Sequence, residues 1–217
     1  MSIQLTLAHL NLPPEGEYVY DTILEMGPHE MSYVTTERVR SVAEVVEVSS
    51  EAVGTKVQVV DTIKLNRRTL ALQQRLAQQA NAVISVQYGL NSFTTSRQLD
   101  LEQASTLQQE GNLIIDGPAE GYLLACAALE VGVLYQTDRF DAQTGRLATY
   151  HIRALAPTLL EQHPLQPTVR PIEIRTAVPS AEYVCYYADL AHPGRILHVD
   201  SVSPVGGATM RSTLRLK

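Results

Sequence analysis

Three residues near the C-terminus have the types and spacing to hold a metal ion: His198 and Asp200 stand two apart in a strand-forming run, and His192 precedes them in a turn. Side chains two apart on a strand share a face, so an imidazole nitrogen and a carboxylate oxygen could meet one divalent ion, with His192 as third ligand. The plainer reading is a surface His-x-Asp pair beside a His-Pro-Gly turn. Tyr183, Tyr186 and Tyr187, just upstream, supply aromatic walls for a ligand pocket, an interface or simple packing across strands.

Other reactive groups are scattered. His29-Glu30 follows Gly27-Pro28 in a loop, where a base and a carboxylate could meet a substrate, but adjacent side chains seldom face one another. Cys126 and Cys185 lie in apolar runs, as expected of inert buried thiols rather than nucleophiles. The sequence has no Gly-rich phosphate loop, Gly-x-Ser-x-Gly elbow, His-Glu-x-x-His or Cys-x-x-Cys. A divalent metal on His192, His198 and Asp200 is the one cofactor these residues suggest.

The elements that position these groups are mostly strands. Alternation or β-branched runs mark Ser2 to Leu7, Glu17 to Met26, Thr36 to Val48, Val57 to Ile63 and Ala82 to Tyr88. The same signals recur over Ile172 to Arg175, Tyr183 to Leu190, Ile196 to Val202 and Thr209 to Leu216. Val133 to Phe140 and Arg146 to Ile152 flank Asp141-Ala142-Gln143-Thr144-Gly145, a hairpin signature. Between 67 and 82, Leu72, Leu76 and Ala80 recur every four residues among glutamines, which predicts an amphipathic helix capped by Asn66. A short helix is expected over Ala154 to Gln162, and Tyr122 to Val131 reads equally as buried strand or short helix. Ser92 to Gly111 is polar and Gln-rich, an excursion from the sheet.

The fold class expected is therefore α+β: a mainly antiparallel sheet, the helix at 67–82 and one or two shorter helices. Pro164, Pro167 and Pro171 suggest a boundary, dividing an α+β domain at 1–165 from a β-rich segment at 166–217 that could join the same sheet system. Pro and an acidic residue precede Tyr18, Tyr122 and Tyr183 alike, either as a repeat or as ordinary strand openings.

Composition narrows the partners. A formal charge of -6 opposes phosphate backbones, so nucleic acid is a poor partner. The first residues lack a signal peptide's basic and apolar regions, and no apolar run would span a bilayer. A cytoplasmic or virion protein without membrane insertion is expected.

Residues 70–121 resemble the small bacterial YbjQ-like family, described as heavy-metal-binding domains that form rings. The likeness rests on a helix running into Ala80-Asn81-Ala82-Val83-Ile84-Ser85-Val86, then Leu113-Ile114-Ile115 before Gly117-Pro118-Ala119-Glu120-Gly121. Gln79-Ala80 stands where that family places a Gly. The resemblance implies an α+β unit that oligomerises and transfers no defined metal ligands.

Function is accordingly expected to be non-catalytic, as a binding or assembly protein that associates with itself or with other proteins in a larger particle. The competing expectation is a metal-dependent small-molecule enzyme or a ligand-binding β-barrel.

Overall fold

The computed structural model describes residues 2–6, 14–54, 57–90, 92–99, 105–110, 115–141, 146–177, 182–203 and 207–215. Among these, sixteen strands form one sheet. The first half contributes β1 (Ile3–Gln4), β2 (Gly16–Met26), β3 (His29–Val42), β4 (Val45–Gly54), β5 (Val57–Asn66), β6 (Leu72–Gln79), β7 (Ala82–Tyr88), β8 (Ser92–Leu99) and β9 (Ser105–Glu110). A 3-10 turn at Gly117–Ala119 leads into the helix α1 (Glu120–Cys126). Then come β10 (Leu134–Asp141), β11 (Arg146–Ala154), β12 (Thr158–Leu159), β13 (Thr168–Thr176), β14 (Tyr183–Asp189), β15 (Ile196–Val202) and β16 (Thr209–Leu214).

Two antiparallel meanders make up the sheet. β2 through β9 lie side by side in chain order, as do β10, β11 and β13 through β16, while β16 pairs with β2 to join the two runs. Two-residue turns drive this pattern: Met26 opposes His29, Val42 opposes Val45 and Gln79 opposes Ala82. At the first of them Gly27 has φ 58°, the positive value that a two-residue hairpin loop requires. β1 adds a short parallel edge beside β10. The strands beyond residue 166 are continuous with the rest, through β11 on one side and β2 on the other.

The sheet rolls until strands near its two ends approach one another. β8 and β10 lie near opposite ends of the strand order, yet the Phe93 and Phe140 rings pack with centroids 4.8 Å apart. The main core gathers Val48, Ile63, Val86, Ile152 and Ile174 from strands all around the roll and adds Leu123 and Leu124 of α1. A smaller cluster of Leu160, Val169, Leu197 and Leu214 closes beneath β12. Among the described residues no helix is long and apolar enough to cross a membrane.

The expected α+β class with a helix at 67–82 is overturned. Residues 72–79 are strand β6, and the residues after it turn into β7. A four-residue spacing misleads because positions i and i+4 share a face in a strand as well as in a helix. The register also slips between Lys64 and Leu65, so Leu72 points inward beside Arg75 and Ala77 while Leu76 faces outward. An inward Arg breaks the apolar stripe that alternation would have shown. Hairpin β6–β7 thus contains the 80–86 stretch that carries the family resemblance.

Two other expectations change. Ala154 to Gln162 contains the short strand β12 instead of a helix, and the polar segment from Ser92 supplies strands β8 and β9. Thr and Ser side chains fit a half-exposed strand, and the ladder with β7 satisfies the backbone of β8. The helical alternative for Tyr122 to Val131 holds only as far as Cys126. The expected turn residues 142–145 lie outside the described residues, as do Leu113 and Ile114.

Candidate functional site

Connections between elements normally run over a protein's surface, where water satisfies their backbone. The middle of the segment linking the two meanders instead passes inside the roll: Glu120, Gly121, Tyr122, Leu123 and Leu124 are all buried. Gly121 makes this possible, because a Cβ there would lie 2.7 Å from the Tyr186 ring of β14.

Charged groups hold this segment at both ends. Asp116 is 1% exposed and accepts from the Gly117 amide at 2.8 Å and from Arg75 Nη1 at 2.7 Å, while the Tyr88 hydroxyl donates to its second oxygen. Arg75 also forks onto Asp61, with Nε 3.0 Å from Oδ1 and Nη2 2.6 Å from Oδ2. Four residues on, buried Glu120 accepts from the Tyr186 hydroxyl at 2.9 Å and lies 2.9 Å from Arg139 Nε. Arg139 itself sits over the Tyr150 ring and 3.6 Å from Glu182. In a poorly solvated interior each carboxylate needs such a cation, and each guanidinium fork matches a carboxylate geometrically.

A third tether is neutral at low pH. Tyr122 donates to Glu37 Oε2 on β3 at 2.6 Å. Burial raises the Glu37 carboxyl to about 7, and the hydrogen bonds from Tyr122 and Tyr20 only partly counter it.

On the outer face, the structure brings His198 and Asp200 together as their spacing suggests, but it engages both fully. His198 is 3% exposed, with Nδ1 2.8 Å from Thr213 Oγ1 and Nε2 2.9 Å from Asp200 Oδ1. Asp200 Oδ2 accepts from the Tyr187 hydroxyl at 3.0 Å, and the Tyr187 ring meets the imidazole edge-on. Burial pushes the Asp200 carboxyl up, yet these hydrogen bonds outweigh it and hold the group below its ordinary value. His192 is placed elsewhere: its Nδ1 lies 3.0 Å from Asp189 Oδ2, in a turn where Arg195 also grips Asp189. Among the described residues, no three His, Cys, Asp or Glu side chains are arranged to hold a metal ion.

The tyrosine trio divides between the faces. Tyr186 points inward to Glu120, whereas Tyr183 and Tyr187 point outward, Tyr183 beneath the Arg175 guanidinium at 4.6 Å. Cys185 lies between these two, buried and free, with its thiol raised to about 11 by burial. Cys126 is also free and raised to about 11 for the same reason. Neither thiol has the lowered pKa of a nucleophile.

Beside this cluster a shallow groove of ≈ 570 Å³ crosses the ends of β14, β15, β16 and β2, lined chiefly by Glu25, Tyr183, Asp200, Thr209, Met210 and Arg211. Arg211 pairs with Glu25 at 2.5 Å and Thr209 donates to the same carboxylate at 2.9 Å.

No family model matches the chain, and no curated protein does. Among solved structures it is similar to a beta-barrel-like protein of a domain of unknown function, DUF1849, from Brucella abortus. The TM-score is 0.61 at 13% identity, with 95% of this chain and 97% of that one covered. The two share a fold. At this identity the likeness extends no further than the backbone.

The sequence reading missed Arg75, Asp116, Glu120 and Arg139. A signal existed for two of them. Asp116 and Glu120 are lone acids bounding the apolar stretches Ile114-Ile115 and Tyr122-Leu123-Leu124, and an acid inside apolar sequence needs a buried cation.

Proposed function

We propose that this chain is a non-catalytic binding protein that uses the outer groove between β14 and β2 to hold an extended segment of another protein. The observation that supports this reading is the closed hydrogen-bond circuit of Tyr187, His198, Asp200 and Thr213, next to an open groove. Its imidazole is 3% exposed and bonded at both nitrogens, out of reach of a substrate, while the groove beside it remains accessible. Small-molecule pockets enclose most of their ligand, and a shallow groove across strand ends suits a polypeptide better.

Chemistry in the groove indicates a basic segment. Two carboxylates, Glu25 and Asp200, face one guanidinium, and the Glu25–Arg211 pair is exposed enough for a ligand to open it at little cost. Tyr183, with the Arg175 guanidinium over its ring, lies beside them. The test is fluorescence anisotropy of the full chain with short labelled peptides that differ only in Lys, Ala or Glu at the central positions. Lys-containing peptides are expected to bind best, and Glu25→Lys to weaken them about tenfold, or ~1.4 kcal/mol. Equal binding of the Lys and Glu peptides, or binding unaffected by Glu25→Lys, would rule the groove out.

A further inference from the structure

The outer surface of this protein is divided by charge. Over β2 to β4 and β13 to β16 it carries ion pairs, including Arg38 with Glu17 and Glu51, Arg215 with Asp21 and Arg175 with Glu173. Over β6 to β9 the character changes. Register and burial place Gln78, Gln87, Gln98 and Gln108 outward, one on each strand, with Leu76 and Val83 between them. Among the described residues, the outward positions of β6, β7 and β8 carry no charge. Glu110, at the end of β9, is the first.

This uncharged surface ends at an open edge. β9 pairs with β8 on one side, and among the described residues no strand pairs with its other side. Exposed edge strands offer unpaired backbone donors and acceptors to another chain, and proteins commonly guard them with charge, proline or a bulge. Here five of the six residues of β9 are uncharged and none is proline. Leu107, on the concave side, is 50% exposed.

We infer that β9 is a self-association edge, pairing antiparallel with β9 of a second copy of this chain about a two-fold axis. The charge distribution selects a second copy as the partner. A chain of net charge -6 repels its own kind over most of its surface, and this is the sector where two copies meet without opposing like charges. A side-chain amide both donates and accepts, so Gln108 on β9 can meet the Thr106 hydroxyl of a second copy in either role. Centring the two-fold on Leu107 places each exposed leucine opposite its copy and Thr106 opposite Gln108, leaving no charged pair across the central positions of the seam.

Sedimentation velocity on the full chain tests this. The wild type is expected at twice the 23.9 kDa of one chain. Leu107→Lys and Leu107→Glu are each expected to sediment as monomers with unchanged circular dichroism, and an equimolar mixture of the two to regain the dimer. Thr106→Lys combined with Gln108→Lys provides a second, outward-facing test that leaves the interior untouched, and it too is expected to give a monomer. A wild type that stays monomeric up to its solubility limit overturns the proposal, as does a dimer that persists in all three variants.

Discussion

Replacing Arg75 by Met is expected to destabilise the chain by about 3 to 5 kcal/mol, the usual result of stripping the cation from a buried ion pair. The size follows from what remains. Asp116 is 1% exposed and would keep a hydroxyl and one amide as partners but no positive charge, and Asp61 would lose a two-pronged contact. Urea unfolding followed by circular dichroism measures the loss. Arg38→Met is the comparison: it removes contacts to Glu17 and Glu51 that are largely in water and is expected to cost no more than ~1 kcal/mol. Adding Asp61→Asn and Asp116→Asn to Arg75→Met should recover part of the stability, because the stranded charges go with the cation. A loss under ~1 kcal/mol for Arg75→Met would mean that the group does not hold the buried segment.

Stability is also expected to fall as pH rises from about 5 to 8, and Glu37 is the reason. Its folded-state pKa is raised from 4.5 to about 7 by burial, so the folded chain keeps a proton that the unfolded chain has already lost. Its contribution is fully present below pH 4.5 and is lost as pH climbs through 7. At ~1.4 kcal/mol per pKa unit, and discounted because the residue keeps some exposure, the decline should be of order 2 kcal/mol. Asp189 and Asp200 act with the opposite sign. Both are held below the ordinary carboxylate value by hydrogen bonds that outweigh burial, so their contribution is lost only as pH falls through those lowered values. Glu37→Gln keeps an acceptor for the Tyr122 hydroxyl and removes the titration, which should flatten the curve above pH 5. The same slope in that variant would assign the effect to another group.

The strands were legible in the sequence wherever one face is apolar and the other wet. β16 read directly from alternation, β2 from its aromatic and β-branched run, and the Gly27-Pro28 turn from its residues. The reading failed where the interior is polar. Arg75 and Glu37 face inward because Asp61, Asp116 and Tyr122 meet them there, and those partners come from strands or turns distant in the chain. Periodicity records which residues are apolar, and a buried salt bridge has no period. Residues 67–82 looked helical for that reason, and the charged tethers of α1 passed unnoticed.

The candidate site was half legible. Spacing alone joins His198 to Asp200, because neighbours two apart on a strand must share a face. It could not show that Thr213 and Tyr187 complete the circuit, since those contacts depend on how β14, β15 and β16 align. Spacing does set Tyr186 on the opposite face from Tyr183 and Tyr187, but it could not say which face of strand β14 is the inner one.

If the roll is filled by its own chain, binding has to occur on the outer surface, and hydrogen–deuterium exchange over the peptide containing Glu120–Cys126 tests this directly. Amides inside a sealed core exchange only through large openings, so this peptide should be as protected as the central strands β3 and β4. Exchange within seconds, at the rate of a surface turn, would show that the helix leaves the interior readily and that the space it fills is open to a ligand.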